Sequence, residues 1–156
     1  MKVEKKLAEM GLTLPPPPKP VATYVPAVRS GNLLFVAGHG PAFEKDGKVQ
    51  YLRGKVGREL NVEQGYEAAR QVALNILQTI KREVGDLDKV KRFVKVLGFV
   101  NCTEDFQDQP RVINGASDLF VALYGDAGCH ARSAVGMVQL PFGIPVEIEA
   151  VVEIED

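Results

Sequence analysis

The segment from Val146 to Glu155 constrains the fold more than any other part of the chain. Val146, Ile148, Ala150, Val152 and Ile154 fall on one side of an extended backbone, and Glu147, Glu149, Glu153 and Glu155 on the other, with Val151 among them. A strand with one oily and one charged face has to lie in a sheet that is covered on one side only. Helices must therefore supply the cover. Upstream, Val62, Tyr66, Ala69, Ala73, Ile76, Ile80 and Val84 recur at intervals of three and four, as an amphipathic helix requires. Asn61 and Gln64 have the spacing of a capping box before it, and Gly85 ends it.

The remaining elements follow the same logic. Two apolar runs, Ala22 to Val28 and Leu33 to Ala37, flank Arg29-Ser30-Gly31-Asn32 and predict a β-hairpin. Glu44 to Lys48 is a polar turn, and a short strand is expected at Val49 to Leu52. Val90 to Val100 reads as an interior strand, Val112 to Tyr124 as a second helix stopped by Gly125, and Arg132 to Leu140 as another strand. Pro141 to Pro145 is a turn. The order β-β-(β)-α-β-α-β-β predicts an α+β domain, with two helices packed on one face of a mixed or largely antiparallel sheet.

The first twenty residues stand apart. MKVEKKLAEMGL has the pattern of a charged amphipathic helix, and Pro15-Pro16-Pro17-Pro18-Lys19-Pro20 is expected to run extended, because proline fixes φ and lacks the backbone donor. It reads as a stiff connector rather than an SH3-type ligand. The division is thus a helix and proline arm over 1–20 and a single domain over 21–156. With 46% hydrophobic residues and a net charge of -1, the chain resembles an ordinary globular protein. The opening lacks the apolar core of a secretory signal, no stretch approaches about 20 apolar residues, and the expected location is cytoplasmic. The balance of 19 basic and 20 acidic residues gives no reason to expect nucleic acid.

Most familiar chemical motifs are missing. Gly54-Lys55-Val56-Gly57 lacks phosphate-loop spacing, Ser133 lacks a nucleophile-elbow context, and Cys102 and Cys129 match no ligand spacing. His39 and His130 each lack a nearby third ligand, so a structural or solvent-exposed role is expected for both. Arg132, at the start of its strand among Gly128, Cys129, Ala131, Ser133 and Ala134, is placed to clamp a carboxylate by two parallel hydrogen bonds. Pattern alone favours an ordinary surface ion pair for it, and a solvated face for Glu147.

The run Ala131-Arg132-Ser133-Ala134-Val135, followed by Leu140-Pro141 and Val146-Glu147-Ile148-Glu149-Ala150, resembles the C-terminal signature of the Rid family. These are the reactive intermediate deaminases, also called the YjgF family and often labelled L-PSP endoribonucleases. Tyr24-Val25, Ser30-Gly31-Asn32 and Ala37-Gly38 resemble the family's N-terminal hairpin, and Asp105-Phe106 and Asn114 its second-helix region. The likeness covers about Val21 to Glu153. It implies a chorismate-mutase-like fold, a homotrimer with sites between subunits, and hydrolysis of 2-imino or 2-enamine acids to 2-oxo acids and ammonia. Arg132 would bind the substrate carboxylate, Glu147 would position or activate water, and Tyr24, Ala37, Gly38, Asn114 and Ala134 would line the pocket. No cofactor or metal is implied. Ala134 and Ala37 replace a cysteine and a serine of the best-known branch, while His39 and His130 stand where it commonly has glutamine and proline. These departures bear on substrate preference, and they leave as an alternative a trimeric binder of small carboxylates without turnover; a further alternative, an endoribonuclease, rests only on the family label.

Overall fold

The computed structural model describes residues 1–17 and 23–156. The end of the proline arm, Pro18 to Pro20, and the start of the first apolar run, Val21 and Ala22, lie outside them. The described chain runs α1 (Lys2–Glu9), β1 (Ala27–Ser30), β2 (Leu33–His39), β3 (Ala42–Lys45), β4 (Lys48–Tyr51), α2 (Val62–Val84), β5 (Val90–Asn101), α3 (Gln109–Tyr124), β6 (Ala131–Met137) and β7 (Val146–Ile154). Five strands form one sheet in the order β1-β2-β7-β5-β6, in which β5 and β6 are parallel and the other neighbours antiparallel. The sheet is therefore mixed, as the element order predicts. β3 and β4 form a separate hairpin.

The period-two pattern of the last strand decides which way the sheet faces. Val146, Ile148, Ala150, Val152 and Ile154 are all buried, and they pack with Val96 and Phe93 of β5 against α2 and α3. The capping box forms as the spacing predicts: Gln64 N–H donates to the Asn61 side chain at 2.8 Å, and Asn61 N–H to the Gln64 side chain at 2.9 Å. Phe93 stacks on Phe120 of α3 with ring centroids 4.1 Å apart.

The two helices approach so closely that only glycine fits at their crossing. A Cβ on Gly115 would lie 2.0 Å from the Tyr66 carbonyl oxygen, a backbone atom that cannot swing away. Gly115→Ala is therefore expected to force the helices apart and to lower stability by about 2 kcal/mol, read as a reduced denaturation midpoint at unchanged m.

Boundaries differ from the sequence pattern where backbone hydrogen bonding decides them. β1 begins only after Pro26, which has no N–H for the ladder and uses its carbonyl to accept from Ala37 N–H at 2.9 Å. β6 ends at Met137, opposite the last residue of β5, and the Val138 carbonyl accepts instead from Lys55 Nζ at 2.6 Å. The turn at Asp46-Gly47, with both residues at positive φ, joins two strands where one is expected from sequence. α1 lies against α3 and the turn at Leu87–Lys89, and places Val3 and Leu7 in the common core. Asp88 receives its exposed N–H groups, from Lys2 at 2.7 Å and Val3 at 2.9 Å. The Met1 amino group first, then these amides, hold the Asp88 carboxyl down at about 2.

Among the described residues, no helix packs on the opposite face of the sheet. Val28, Phe35 and Val151 lie in register across it, as do Val135, Phe99 and Glu147. Val28, Phe35 and Val135 are exposed, and a hollow of about 310 Å³ opens among Val28, Phe35, Leu97, Val151, Lys95 and Glu149. Among the described residues, no helix is long and apolar enough to cross a membrane.

Candidate functional site

Arg132 lies on β6, an edge strand, opposite Val96 of β5. Val96 is fully buried beneath the helices, so residues in its register point the same way. Arg132 accordingly reaches toward α3, where Nη1 donates to Asn114 Oδ1 at 2.8 Å and to Ser117 Oγ at 3.0 Å. Asn114 and Ser117 are three residues apart and share one face of that helix. Ala134, two residues beyond Arg132, faces the same side opposite Gly98.

The surface ion pair that pattern alone favours for Arg132 does not form among the described residues. Its partners are two neutral oxygens, both on Nη1, and among the described residues no hydrogen bond occupies Nε or Nη2. A half-buried guanidinium is thus held on one side by its own fold, with no carboxylate paired to it among the described residues and its other edge available. That edge is the planar fork which matches a carboxylate.

Glu147 lies elsewhere. Its neighbours in sequence, Val146 and Ile148, are buried under the helices, so its side chain projects from the helix-free face. There it is half-buried rather than solvated. It rests against Gly38, where an added Cβ would come within 3.1 Å of its carboxyl carbon. Burial first, and then the Glu149 carboxylate, pushes the Glu147 pKa above the ordinary value. Ala37 lies beside Gly38, tied by its N–H to Pro26. Tyr24, two residues before Pro26 in the chain, is exposed.

The expected site residues therefore divide into two groups. Arg132, Asn114 and Ala134 share the helix side of the β6 edge; Glu147, Gly38, Ala37 and Tyr24 belong to the β1, β2 and β7 end. Arg132 and Glu147 point from opposite faces with β5 between their strands, so one chain does not bring them into one cleft.

Sequence reasoning passed over two members of the first group. Ser117 Oγ lies 2.9 Å from His130 Nε2, and His130 Nδ1 lies 2.7 Å from the Gly128 carbonyl. The signal was present in the i, i+2 spacing of His130 and Arg132 and the i, i+3 spacing of Asn114 and Ser117, which put all four side chains on facing surfaces. Burial lowers the His130 pKa, and the Arg132 charge lowers it further. His39 has a different place: Nδ1 lies 2.6 Å from the Ala37 carbonyl and Nε2 lies 2.8 Å from Oγ1 of the fully buried Thr79, tying the end of β2 to α2. Neither histidine is free in solvent. Among the described residues, no group of three or more His, Cys, Asp or Glu side chains could hold a metal ion.

Comparison with known proteins bears on this arrangement. Residues 4–146 match the family described as "YjgF/chorismate_mutase-like, putative endoribonuclease". Protein TCP17 of Trypanosoma cruzi is 42% identical over 156 residues, covering 99% of this chain and 96% of that protein. The crystal structure of Atu1372 from Agrobacterium tumefaciens, a protein described as of unknown function, superposes with a TM-score of 0.88 at 44% identity, covering 99% of this chain and 93% of that one. RidA from the Antarctic bacterium Psychrobacter sp. PAMC 21119 gives a TM-score of 0.58 at 28% identity, covering 88% and 94%.

Proposed function

This chain belongs to the YjgF/chorismate-mutase-like family, and from that premise we propose that it hydrolyses 2-imino and 2-enamine acids to 2-oxo acids and ammonia. The observation that carries the reading is the Arg132 guanidinium, held through Nη1 by Asn114 and Ser117, paired to no carboxylate among the described residues, with its Nε–Nη2 edge open. Such a group on a sheet edge is suited to a small carboxylate. The opposed directions of Arg132 and Glu147 favour a site composed from two copies, with Arg132 of one facing Glu147 of the next. The partly apolar helix-free face, with Val28 and Phe35 exposed, suits a buried contact between copies, and we propose that the assembly is the homotrimer that the family resemblance implies.

The chemistry asks for little more. Arg132 fixes the carboxylate and so places C2 of the imine; water attacks C2, and the C=N pair moves to nitrogen, which is protonated. The resulting carbinolamine expels ammonia as its hydroxyl becomes the 2-oxo group. Glu147, with its pKa raised by burial, is suited to take the proton from the attacking water and return it to the departing nitrogen. Neither metal nor bound cofactor enters these steps, and positioning supplies much of the acceleration. The cytoplasm would be the natural location for such a scavenging activity.

A serine or threonine dehydratase that generates the imine in the presence of a competing nucleophilic trap provides the test. Faster 2-oxo acid release on adding the wild-type protein, and none with Arg132→Ala, is the expected result. A second reading, capture of small carboxylates without turnover, is favoured by one observation: Ala37 and Ala134 offer no polar side chain at two of the lining positions. It predicts pyruvate binding in calorimetry with no acceleration. RNA cleavage that tracks the purified protein and is lost in Arg132→Ala would instead favour a nuclease.

A further inference from the structure

We infer that Ser117 and His130 form a relay that fixes the Arg132 guanidinium for its ligand, which makes both of them positioning residues of the site. This rests on the carboxylate-binding role proposed above for Arg132. The directions of the hydrogen bonds follow from donor and acceptor chemistry alone. A guanidinium only donates, so Ser117 Oγ, 3.0 Å from Nη1, must be the acceptor. The hydroxyl hydrogen is then left to donate, and His130 Nε2 lies 2.9 Å away. Nε2 accepts only if the imidazole proton sits on Nδ1, and Nδ1 has the Gly128 carbonyl 2.7 Å away to receive it. One tautomer satisfies every contact from Arg132 to the backbone of the turn at Gly125–Gly128.

The far end of the relay is anchored. Gly128 sits so close to α3 that a Cβ there would come within 2.2 Å of the Phe120 carbonyl oxygen, which fixes the carbonyl that holds His130. The Phe120 ring meets the imidazole edge-on at 6.2 Å and limits its rotation. With Asn114 taking the second Nη1 contact, Nη1 is held inward against α3. The Nε–Nη2 edge is thereby presented as a planar fork, and its rotational freedom is removed before the ligand arrives. Arg132 is the charged group that faces His130; the contacts from α3, Ser117 and Phe120, carry no charge. Protonating His130 would turn Nε2 into a donor, strip the Ser117 hydroxyl of its acceptor and set a second positive charge beside Arg132.

Two measurements on the full-length assembled protein test this. Calorimetric titration with pyruvate is expected to show Kd rising roughly 5–20-fold in Ser117→Ala and in His130→Ala. His130→Gln, whose amide oxygen can accept in place of Nε2, should recover to within about threefold of wild type. In the coupled imine assay the same variants should raise KM more than they lower kcat, because the relay touches the carboxylate anchor directly and C2 only through it. Unchanged Kd in Ser117→Ala and His130→Ala, alongside loss of binding in Arg132→Ala, would overturn the relay while leaving the carboxylate site standing. If the wild-type protein does not bind pyruvate, the ligand reading fails and nitrogen NMR of the imidazole decides the relay. A neutral Nδ1–H tautomer, with a His130 pKa that moves upward in Arg132→Ala, supports it; an Nε2–H tautomer or an unmoved pKa overturns it.

Discussion

Arg132→Ala is expected to weaken pyruvate binding at least about 100-fold and to remove imine hydrolysis with it. A hydrogen bond to a charged group contributes about 1.5–3 kcal/mol, and the open Nε–Nη2 edge can make two of them to one carboxylate. Losing both corresponds to two or more powers of ten in Kd. The fold should barely notice. Arg132 lies on an edge strand, is half-buried, forms no ion pair among the described residues, and leaves behind two oxygens, on Asn114 and Ser117, at a water-accessible margin. Melting and calorimetry on the same sample separate the two effects. Arg132→Lys should recover little, because an ammonium is a point charge that cannot hold Asn114 and Ser117 and still present a planar fork. Binding within threefold of wild type in Arg132→Ala would remove the basis of the proposed function.

Mixing two inactive variants should restore activity, and this outcome depends on architecture alone. Glu147→Gln is expected to lower kcat by about 10²–10³-fold with little change in KM, since the amide cannot take the water's proton. If each site draws Arg132 from one copy and Glu147 from the next, joint unfolding and refolding of Arg132→Ala with Glu147→Gln makes some sites that receive both intact residues. Random assembly predicts about a quarter of the sites. Activity should rise from near zero to about that fraction of wild type. No recovery would mean that one chain supplies both residues, against the opposed directions of their side chains. The wild-type rate should also fall as pH drops through the Glu147 pKa, which burial and then Glu149 hold above the ordinary value. Glu149→Gln removes a like charge, so the acid limb of the profile should move to lower pH.

The alternation of Val146 to Ile154 and the stripe of α2 were legible because they report a one-dimensional period, and the structure buries those faces accordingly. The Asn61–Gln64 box was legible because all its partners lie within four residues. The hairpin at Ala42–Tyr51 was half seen, since Ala42 to Lys45 lacks a strand-like apolar pattern and is paired only through its partner. Arg132 and Glu147 stood out through resemblance, and pattern favoured a bland role for each. Ser117 and His130 were missed because His130 looked like a solitary histidine, and its partner lies thirteen residues away on another element.

The sequence by itself determined which residues must be buried, hence a one-sided sheet under two helices, and it carried the signature of the family. Local periodicity and short-range hydrogen bonding settle those matters, and neither needs the rest of the chain. Only the tertiary structure decided what Arg132 is bonded to, that its charge meets no carboxylate among the described residues, and that Glu147 points the other way. Those are relations between β6, α3 and β7, which adjoin only after the sheet has formed. The physical reason is that a strand's two faces are fixed by its own pattern, whereas the partner that each face meets is fixed by strand order and register.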